Sequence, residues 1–287
     1  MKRVIALGFF DGVHSGHGAL LRAAKEKAAE LGCIASALTF DSHPDAVVFG
    51  KTTPLINTLE DRKRLMLEQY AMDEVLTLPF DKAMMELPWE AFVETLLIKK
   101  YEAAAVVCGH DYSFGYHGEG TPQLLRKKCE ALGISCQIME PVMLNGTVIS
   151  STAIREKLRA GELAGANAML GHPHFLTGTV VKGKQLGRTI GVPTANLLLP
   201  QGVLAPKFGV YIARVDGKKA VTNIGVRPTV DDGEQVTVES YLLDFAGDLY
   251  GKSVCIELLA YLRPEQKFAS LDELKQQILQ DAAKAEE

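Results

Sequence analysis

The sequence predicts a doubly wound α/β domain followed by an antiparallel β-barrel domain with a C-terminal helix. Three observations predict it. Through the first half, apolar runs alternate with helical patterns, as parallel strands joined by crossover helices require. From Phe175 to Leu262 the texture shifts to short β-rich runs with frequent Gly and Pro. Turn signals such as Asp216-Gly217 and Asp232-Gly233 separate some of these runs, which suits an antiparallel barrel. Beyond them, Leu271, Leu274, Ile278 and Leu279 share one face of an amphipathic helix running from Leu271 to about Ala283.

Each element has its own signal. Strands are expected at Val4–Leu7, Ile34–Phe40, Val75–Leu78, Ala103–Cys108 and Ile134–Met139, and helices near Gly18–Leu31, Leu59–Tyr70, Trp89–Tyr101 and Pro122–Leu132. Gly32 and Gly133 sit where helix C-caps belong. Ala103–Cys108 is nearly continuous in apolar residues, as a parallel strand covered on both faces should be. A helical stretch from Thr152 to Leu170 ends this half, and the expected domains are 1–171 and 172–287. Barrel strands are expected at Leu176–Val181, Ala195–Leu199, Val210–Val215, Ala220–Ile224, Val236–Leu243 and Val254–Leu262.

Bulk properties narrow the function. At 287 residues, 23% charged and 47% hydrophobic, the chain has material for two cores. A net charge of −4 argues against bulk binding to nucleic acid or an anionic membrane. The basic clusters Arg62-Lys63-Arg64 and Arg126-Lys127-Lys128 read most simply as solvated helix faces. No secretory peptide or membrane span is expected. Five scattered cysteines without a CxxC fit reduced thiols in a cytoplasmic protein.

The run Gly8-Phe-Phe-Asp-Gly-Val-His14-Ser-Gly-His17 carries the strongest chemical signal. An apolar strand precedes it and a helix follows. Its glycines let backbone approach a ligand, and helix-start amides favour an anion. His14 and His17, three apart, can face one target. Two imidazoles over a helix start suit phosphate better than metal, because no Cys or carboxylate lies at ligand spacing. The plainer alternative is that one His caps the helix and the other is solvated. Ser150-Ser151-Thr152-Ala-Ile-Arg155 places hydroxyls at another helix start with an Arg one turn in, a phosphate grip or a simple N-cap. Gly109-His-Asp111-Tyr112-Ser-Phe-Gly115 is an aromatic loop that could hold a flat ring or be a packed turn.

In the second half, Gly178–Asn196 is rich in Gly and positive charge but fits no Walker A register. Its backbone amides could still cover phosphates. Thr194 and Asn196 offer hard oxygens two apart, on one face of a strand, which suits Mg²⁺. Glu239 lies in a β-like run and could accept a proton from a hydroxyl. Strand-edge polar residues and a solvated Glu are the plainer readings.

These motifs resemble those of known families. His14-Ser-Gly-His17 is the HxGH pattern of the nucleotidylyltransferase superfamily. With GHDYSFG and SSTAIR, the first half is similar to the FMN adenylyltransferase module of bacterial bifunctional riboflavin kinase/FAD synthetases. Gly187-Arg188-Thr-Ile-Gly-Val192-Pro-Thr194-Ala-Asn196, Asn223-Ile-Gly-Val-Arg-Pro-Thr229, Glu239-Ser-Tyr241-Leu-Leu-Asp-Phe245 and Arg263-Pro-Glu-Gln-Lys-Phe268 resemble the flavokinase module. The departures are Tyr112 for Phe, Val192 for Phe, Tyr241 for His, and Leu170-Gly-His172-Pro-His174 for LGRPY.

The resemblance implies a nucleotidylyltransferase domain and a flavokinase barrel, using ATP and Mg²⁺ to convert riboflavin to FMN and FMN to FAD. It implies that His14, His17 and Arg155 act in adenylyl transfer and Glu239 as general base. Gly8, Phe10, Asp11, Gly16, Asp111, Ser151, Thr152, Gly183, Lys184, Gly187 and Arg188 would hold nucleotide or phosphate. Thr194 and Asn196 would hold Mg²⁺. The alternative is a monofunctional FAD synthetase whose barrel binds flavin without phosphorylating it.

Overall fold

The structure, a computed structural model, describes residues 1–50, 52–183, 186–228 and 234–286. The chain forms two compact units, Met1–Ser151 and Thr152–Glu287.

In the first unit, β1 (Arg3–Leu7), β2 (Ile34–Phe40), β3 (Glu74–Leu78), β4 (Ala103–Gly109) and β5 (Ser135–Met139) form one sheet. Its order is β3-β2-β1-β4-β5 and every pair is parallel. Strand order reverses between β1 and β4, so the loops leaving these two strands open onto the switch point, where such sheets bind ligands. Those loops are 8–14 and 110–115. Ile5, Leu7, Leu38, Val106 and Cys108 join Phe92, Leu97 and Leu125 in a core on one face of this sheet.

Departures from the expected elements have local causes. The segment expected as one helix at Trp89–Tyr101 is a short turn, Trp89–Ala91, followed by a π-helix over Phe92–Lys100. There Tyr101 N–H reaches back five residues to Leu96 O at 3.1 Å. The Thr152–Leu170 stretch breaks into Ser151–Ala160 and Leu163–Leu170 at Gly161, whose φ is +84°. A hairpin, β6 (Met143–Leu144) with β7 (Thr147–Val148), turns at Asn145-Gly146, both at positive φ.

The second unit contains a closed barrel of six strands: β8 (His174–Val181), β9 (Thr194–Leu198), β10 (Gly209–Val215), β11 (Lys218–Pro228), β12 (Glu234–Leu242) and β13 (Ser253–Arg263). The order is β10-β11-β12-β9-β8-β13, with β13 returning to β10, and every pair is antiparallel. Each expected β run falls on one of these strands. The expected turn at Asp216-Gly217 is present, with both residues at positive φ, whereas Asp232-Gly233 lies outside the described residues. The final helix spans Leu271–Glu286. It packs on the outside of the barrel, where Ala282 and Ala285 meet Val210 and Val221.

The division at Ser151/Thr152 falls earlier in the chain than the Gly171 boundary read from texture. The two helices after it are bound to the barrel. Lys207 N–H donates to Leu158 O at 2.9 Å, and Asn167 Nδ2 donates to Leu258 O at 3.0 Å. Asn167 Oδ1 also accepts from His174 N at 2.8 Å.

Among the described residues, no helix is long and apolar enough to cross a membrane. All five cysteines are free thiols, Cys108 and Cys129 being buried in the core of the first unit.

Candidate active sites

The loop after β1 is built around its two histidines. Gly12 and the non-glycine residues Phe10 and Val13 take positive φ, folding the chain tightly between strand and helix. His14 caps the helix Ser15–Leu31, its Nδ1 accepting from His17 N–H at 3.3 Å. The His14 and His17 rings stack, with centroids 3.6 Å apart and planes 14° from parallel. A Cβ on Gly16 would sit 3.1 Å from His14 Nδ1, so glycine lets that ring lie back on the helix. Capping and pairing therefore coexist: His14 does the capping and still presents a face to His17.

Phe10 is fully buried and meets the His17 ring edge-on at 5.2 Å. Its ring lies over Gly8, whose Cβ would approach it to 3.1 Å. Phe10 and Gly8 thus prop the histidines from inside the loop. Asp11 is also buried, and its Oδ1 accepts from Ile56 N–H at 2.8 Å. Its carbonyl accepts from Ser151 Oγ at 2.8 Å, tying the end of the first unit to the loop. Burial pushes the His17 pKa well below its ordinary value, and the adjoining charges of His14 and Arg62 lower it further.

Arg62 corrects the reading of its cluster as a solvated helix face. It lies on the helix Leu59–Glu68 with no exposed surface. Its Nη1 donates to Phe9 O and, at 3.2 Å, to Thr39 Oγ1, while Nη2 donates to Phe40 O at 3.2 Å. The guanidinium also lies over the Phe9 ring at 4.3 Å. Basic residues are normally exposed, so composition pointed away from Arg62. The one available signal was its place on the inward face with Leu65 and Met66.

In the loop after β4, Asp111 is exposed, with its side chain 82% accessible. Tyr112 stacks on Phe114, and Phe114 packs against Phe92 in the core. Burial raises the Tyr112 pKa. The loop is a packed aromatic turn with one acidic side chain left outside. Thr152 and Arg155 lie at the start of the second unit, where Arg155 is buried and its Nη2 donates to Thr152 Oγ1 at 3.2 Å.

The barrel brings Thr194, Asn196 and Glu239 together by register. Glu239 pairs across the ladder with Asn196 on one side and Asn223 on the other, and Tyr241 pairs with Thr194. Alternation puts these side chains on one face. The intervening Ser240 faces the other way, its hydroxyl 2.8 Å from that of Thr222, both buried. The outward face opens on a cavity of about 390 Å³ lined by Thr194, Asn196, Asn223, Glu239 and Tyr241, with Leu274 and Ile278 from the final helix. A second cavity of about 440 Å³, lined by Phe245, Asp248 and Tyr250, shares Thr194 and Asn196 with the first.

Supporting contacts fix this arrangement. Asn196 Nδ2 donates to Thr194 O at 3.2 Å. Gly183 passes over Asn196, where a Cβ would lie 2.6 Å from its Oδ1. A Cβ on Gly187 would strike Val192 O, and Val192 N–H donates to Gly187 O at 2.8 Å. Lys184 lies outside the described residues, and Arg188 falls on the short helix Leu186–Thr189. Two residues were not singled out as site residues: Glu265, which accepts from Asn223 Nδ2 at 3.0 Å, and Asp281, paired with Arg263. Among the described residues, no group of three His, Cys, Asp or Glu is placed to hold a metal.

A histidine-pair loop at a switch point, joined in one chain to a barrel with a hydroxyl–amide–carboxylate face, defines a two-module group-transfer enzyme. Comparisons specify which. A family model described as FAD synthetase matches residues 1–153, and one described as riboflavin kinase matches residues 170–287. Bifunctional riboflavin kinase/FMN adenylyltransferase from Listeria monocytogenes is 37% identical over 98% of this chain and 90% of that protein. The Escherichia coli K12 protein of the same name is 38% identical over 99% of this chain and 92% of its own. A solved structure described as a macrolide-efflux protein from Streptococcus pneumoniae matches with a TM-score of 0.86 at 31% identity, covering 98% of this chain and 92% of that one. The chain belongs to the bifunctional riboflavin kinase/FMN adenylyltransferase family.

Proposed function

We propose that the two activities are divided between the two modules, with adenylyl transfer at the His14–His17 loop and riboflavin phosphorylation on the outward face of the barrel. The observation that carries this division is the cross-strand placement of Glu239, which lines one cavity, opposite Asn196, which with Thr194 forms the wall that this cavity shares with a second. One cavity can take a flavin and the other a nucleotide, leaving the reacting groups between them.

In the kinase reaction, Glu239 takes the proton of the riboflavin 5′-hydroxyl. That oxygen attacks the γ-phosphorus of ATP, and ADP leaves. Thr194 and Asn196 supply hard oxygen donors, which fit Mg²⁺ shared with substrate phosphates. Bound there, Mg²⁺ would neutralise charge on the transferring group. Gly183 and Gly187 bring backbone close to these side chains, and Lys184 and Arg188 add positive charge by motif.

In the second reaction, a phosphate oxygen of FMN attacks the α-phosphorus of ATP and pyrophosphate leaves. His17, held neutral, donates an N–H to the developing charge, and His14 orients it. Gly8, Phe10, Asp11 and Gly16 shape the loop, and Asp111 stands at the mouth of the neighbouring loop. The roles of Ser151, Thr152 and Arg155 toward ATP phosphates rest on the motif. The free thiols suit a reducing compartment, and we place the protein in the cytoplasm.

Product chromatography from riboflavin, ATP and Mg²⁺ tests the reading. FMN followed by FAD is expected. FAD formed only from added FMN would leave an adenylyltransferase with an inactive barrel.

A further inference from the structure

Arg62 is a fully buried cation beside the adenylyl-transfer loop, and nothing in the reaction as described uses it. Burying a guanidinium is costly unless its donors are satisfied and its charge does something. Two of its nitrogens are satisfied at the carboxyl ends of two neighbouring strands: Phe9 O just beyond β1, and Thr39 Oγ1 and Phe40 O at the end of β2. Its Nε has no hydrogen-bond partner among the described residues. Its apolar face is covered by Phe9, which in turn meets His43 edge-on at 4.8 Å. A neutral side chain of similar size could fill this space. Only an arginine both joins two strand ends through a rigid fork and carries a permanent charge.

We propose that Arg62 is a positioning residue for adenylyl transfer: it pins the Phe9 and Phe40 carbonyls together and holds a fixed positive charge on the buried side of the His14–His17 loop. This rests on the reading of that loop as the adenylyl-transfer site. The charge acts in two ways. It opposes protonation of His17, keeping the imidazole a neutral donor, and it adds to the attraction of the loop for a polyphosphate. His14 stacks on His17 and lowers its proton affinity in the same sense, while Asp11 and Asp41 stabilise the charge of Arg62.

The test is NMR titration of His17 in the ligand-free full chain, as wild type, R62K and R62Q. This readout needs no turnover, so it can fail while the functional reading stands. In wild type, His17 is expected to titrate well below the ordinary imidazole range. In R62Q its inflection should rise, and in R62K it should stay low. The acid limb of the pH profile for FAD formation should move up with it in R62Q and not in R62K. Riboflavin phosphorylation should be unchanged throughout. His17 titrating normally in wild type overturns the proposal, as does an unmoved inflection in R62Q or an equal rise in R62K. If R62Q fails to fold, a normally titrating His17 in wild type or a raised inflection in R62K still overturns the proposal.

Discussion

Asn196 and Glu239 are directly opposed across the β9–β12 ladder, so the amide and the carboxylate are held on adjoining strands of a closed barrel. Closure fixes this register, because slipping one strand by a residue would turn Glu239 into the barrel interior. Glu239→Gln keeps the shape and cannot take a proton. Riboflavin phosphorylation should fall by ~10²–10⁴ while FAD formation from supplied FMN is unaffected. Normal FMN production by the variant would return Glu239 to the role of a half-buried strand residue.

His17→Ala should give the opposite pattern. The helix keeps its His14 cap, since His14 Nδ1 accepts from the backbone N–H of residue 17. Loss of one donor at the developing charge should slow FMN-to-FAD conversion by ~10²–10³, with kinase turnover intact. An undiminished rate of FAD release, measured from added FMN, would remove His17 from the reaction.

The final helix is locked to the barrel by Arg263, whose Nη2 lies 2.7 Å from Asp281 Oδ2, with Nε 3.0 Å from the same oxygen. Asp281 is only 1% exposed. Asp281→Leu leaves Arg263 largely buried without its partner and should cost about 3 kcal/mol. Replacing both residues by Leu should cost less than the single change. Because Leu274 and Ile278 on the same helix line the cavity that holds Glu239, the single variant should also raise the KM for a substrate of the kinase reaction. Equal stability of single and double variants in urea titrations would mean that the pair holds nothing.

His174 makes the barrel sensitive to acid. Its ring is fully buried, neither ring nitrogen has a hydrogen-bond partner among the described residues, and burial, with a smaller contribution from His172, lowers its pKa to about 3. In the unfolded chain it titrates near 6.5. Between these values the unfolded state binds a proton that the folded state refuses, so stability falls as pH drops below about 6.5, by up to ~1.4 kcal/mol per pH unit. His174→Leu should flatten that dependence by about one proton. Identical slopes for wild type and variant between about pH 6 and about pH 4 would contradict it.

The sequence was most legible where backbone periodicity and motif coincide. Strand–helix alternation located all five parallel strands, and the six β runs located all six barrel strands, because burial on one or both faces writes itself into the apolar pattern. The Asn145-Gly146 hairpin was missed although its dipeptide demands such a turn; the two-residue strands beside it carry no apolar alternation. The π-helix at Phe92–Lys100 has no sequence code distinct from an α-helix of the same length. Among candidate site residues, His14, His17 and Glu239 stood out in the sequence because their types are chemically distinctive. Arg62 was not, because whether a cation is solvated or buried depends on packing between elements distant in sequence. The burial of Phe10 and Asp11 inside the loop, rather than at a ligand surface, is of the same kind.

The placement of Ser151–Leu170 leads to the last prediction. Leu163, Ala166, Met169 and Leu170 are buried on a helix that packs against β8 and β13, and Asn167 bonds both Leu258 O and His174 N. A fragment of residues 152–287 therefore carries the barrel with its own covering and should phosphorylate riboflavin. A fragment beginning at His172, where sequence texture placed the boundary, exposes the apolar surface those side chains cover. Each large side chain removed forfeits roughly 1.5–3 kcal/mol of burial, against a total stability of about 5–15 kcal/mol for a domain. The shorter fragment should melt lower and show less kinase activity per folded molecule. Circular dichroism melts and FMN formation, measured on both fragments, check this. Equal melting temperatures would mean that the helix Leu163–Leu170 lies on the barrel without stabilising it.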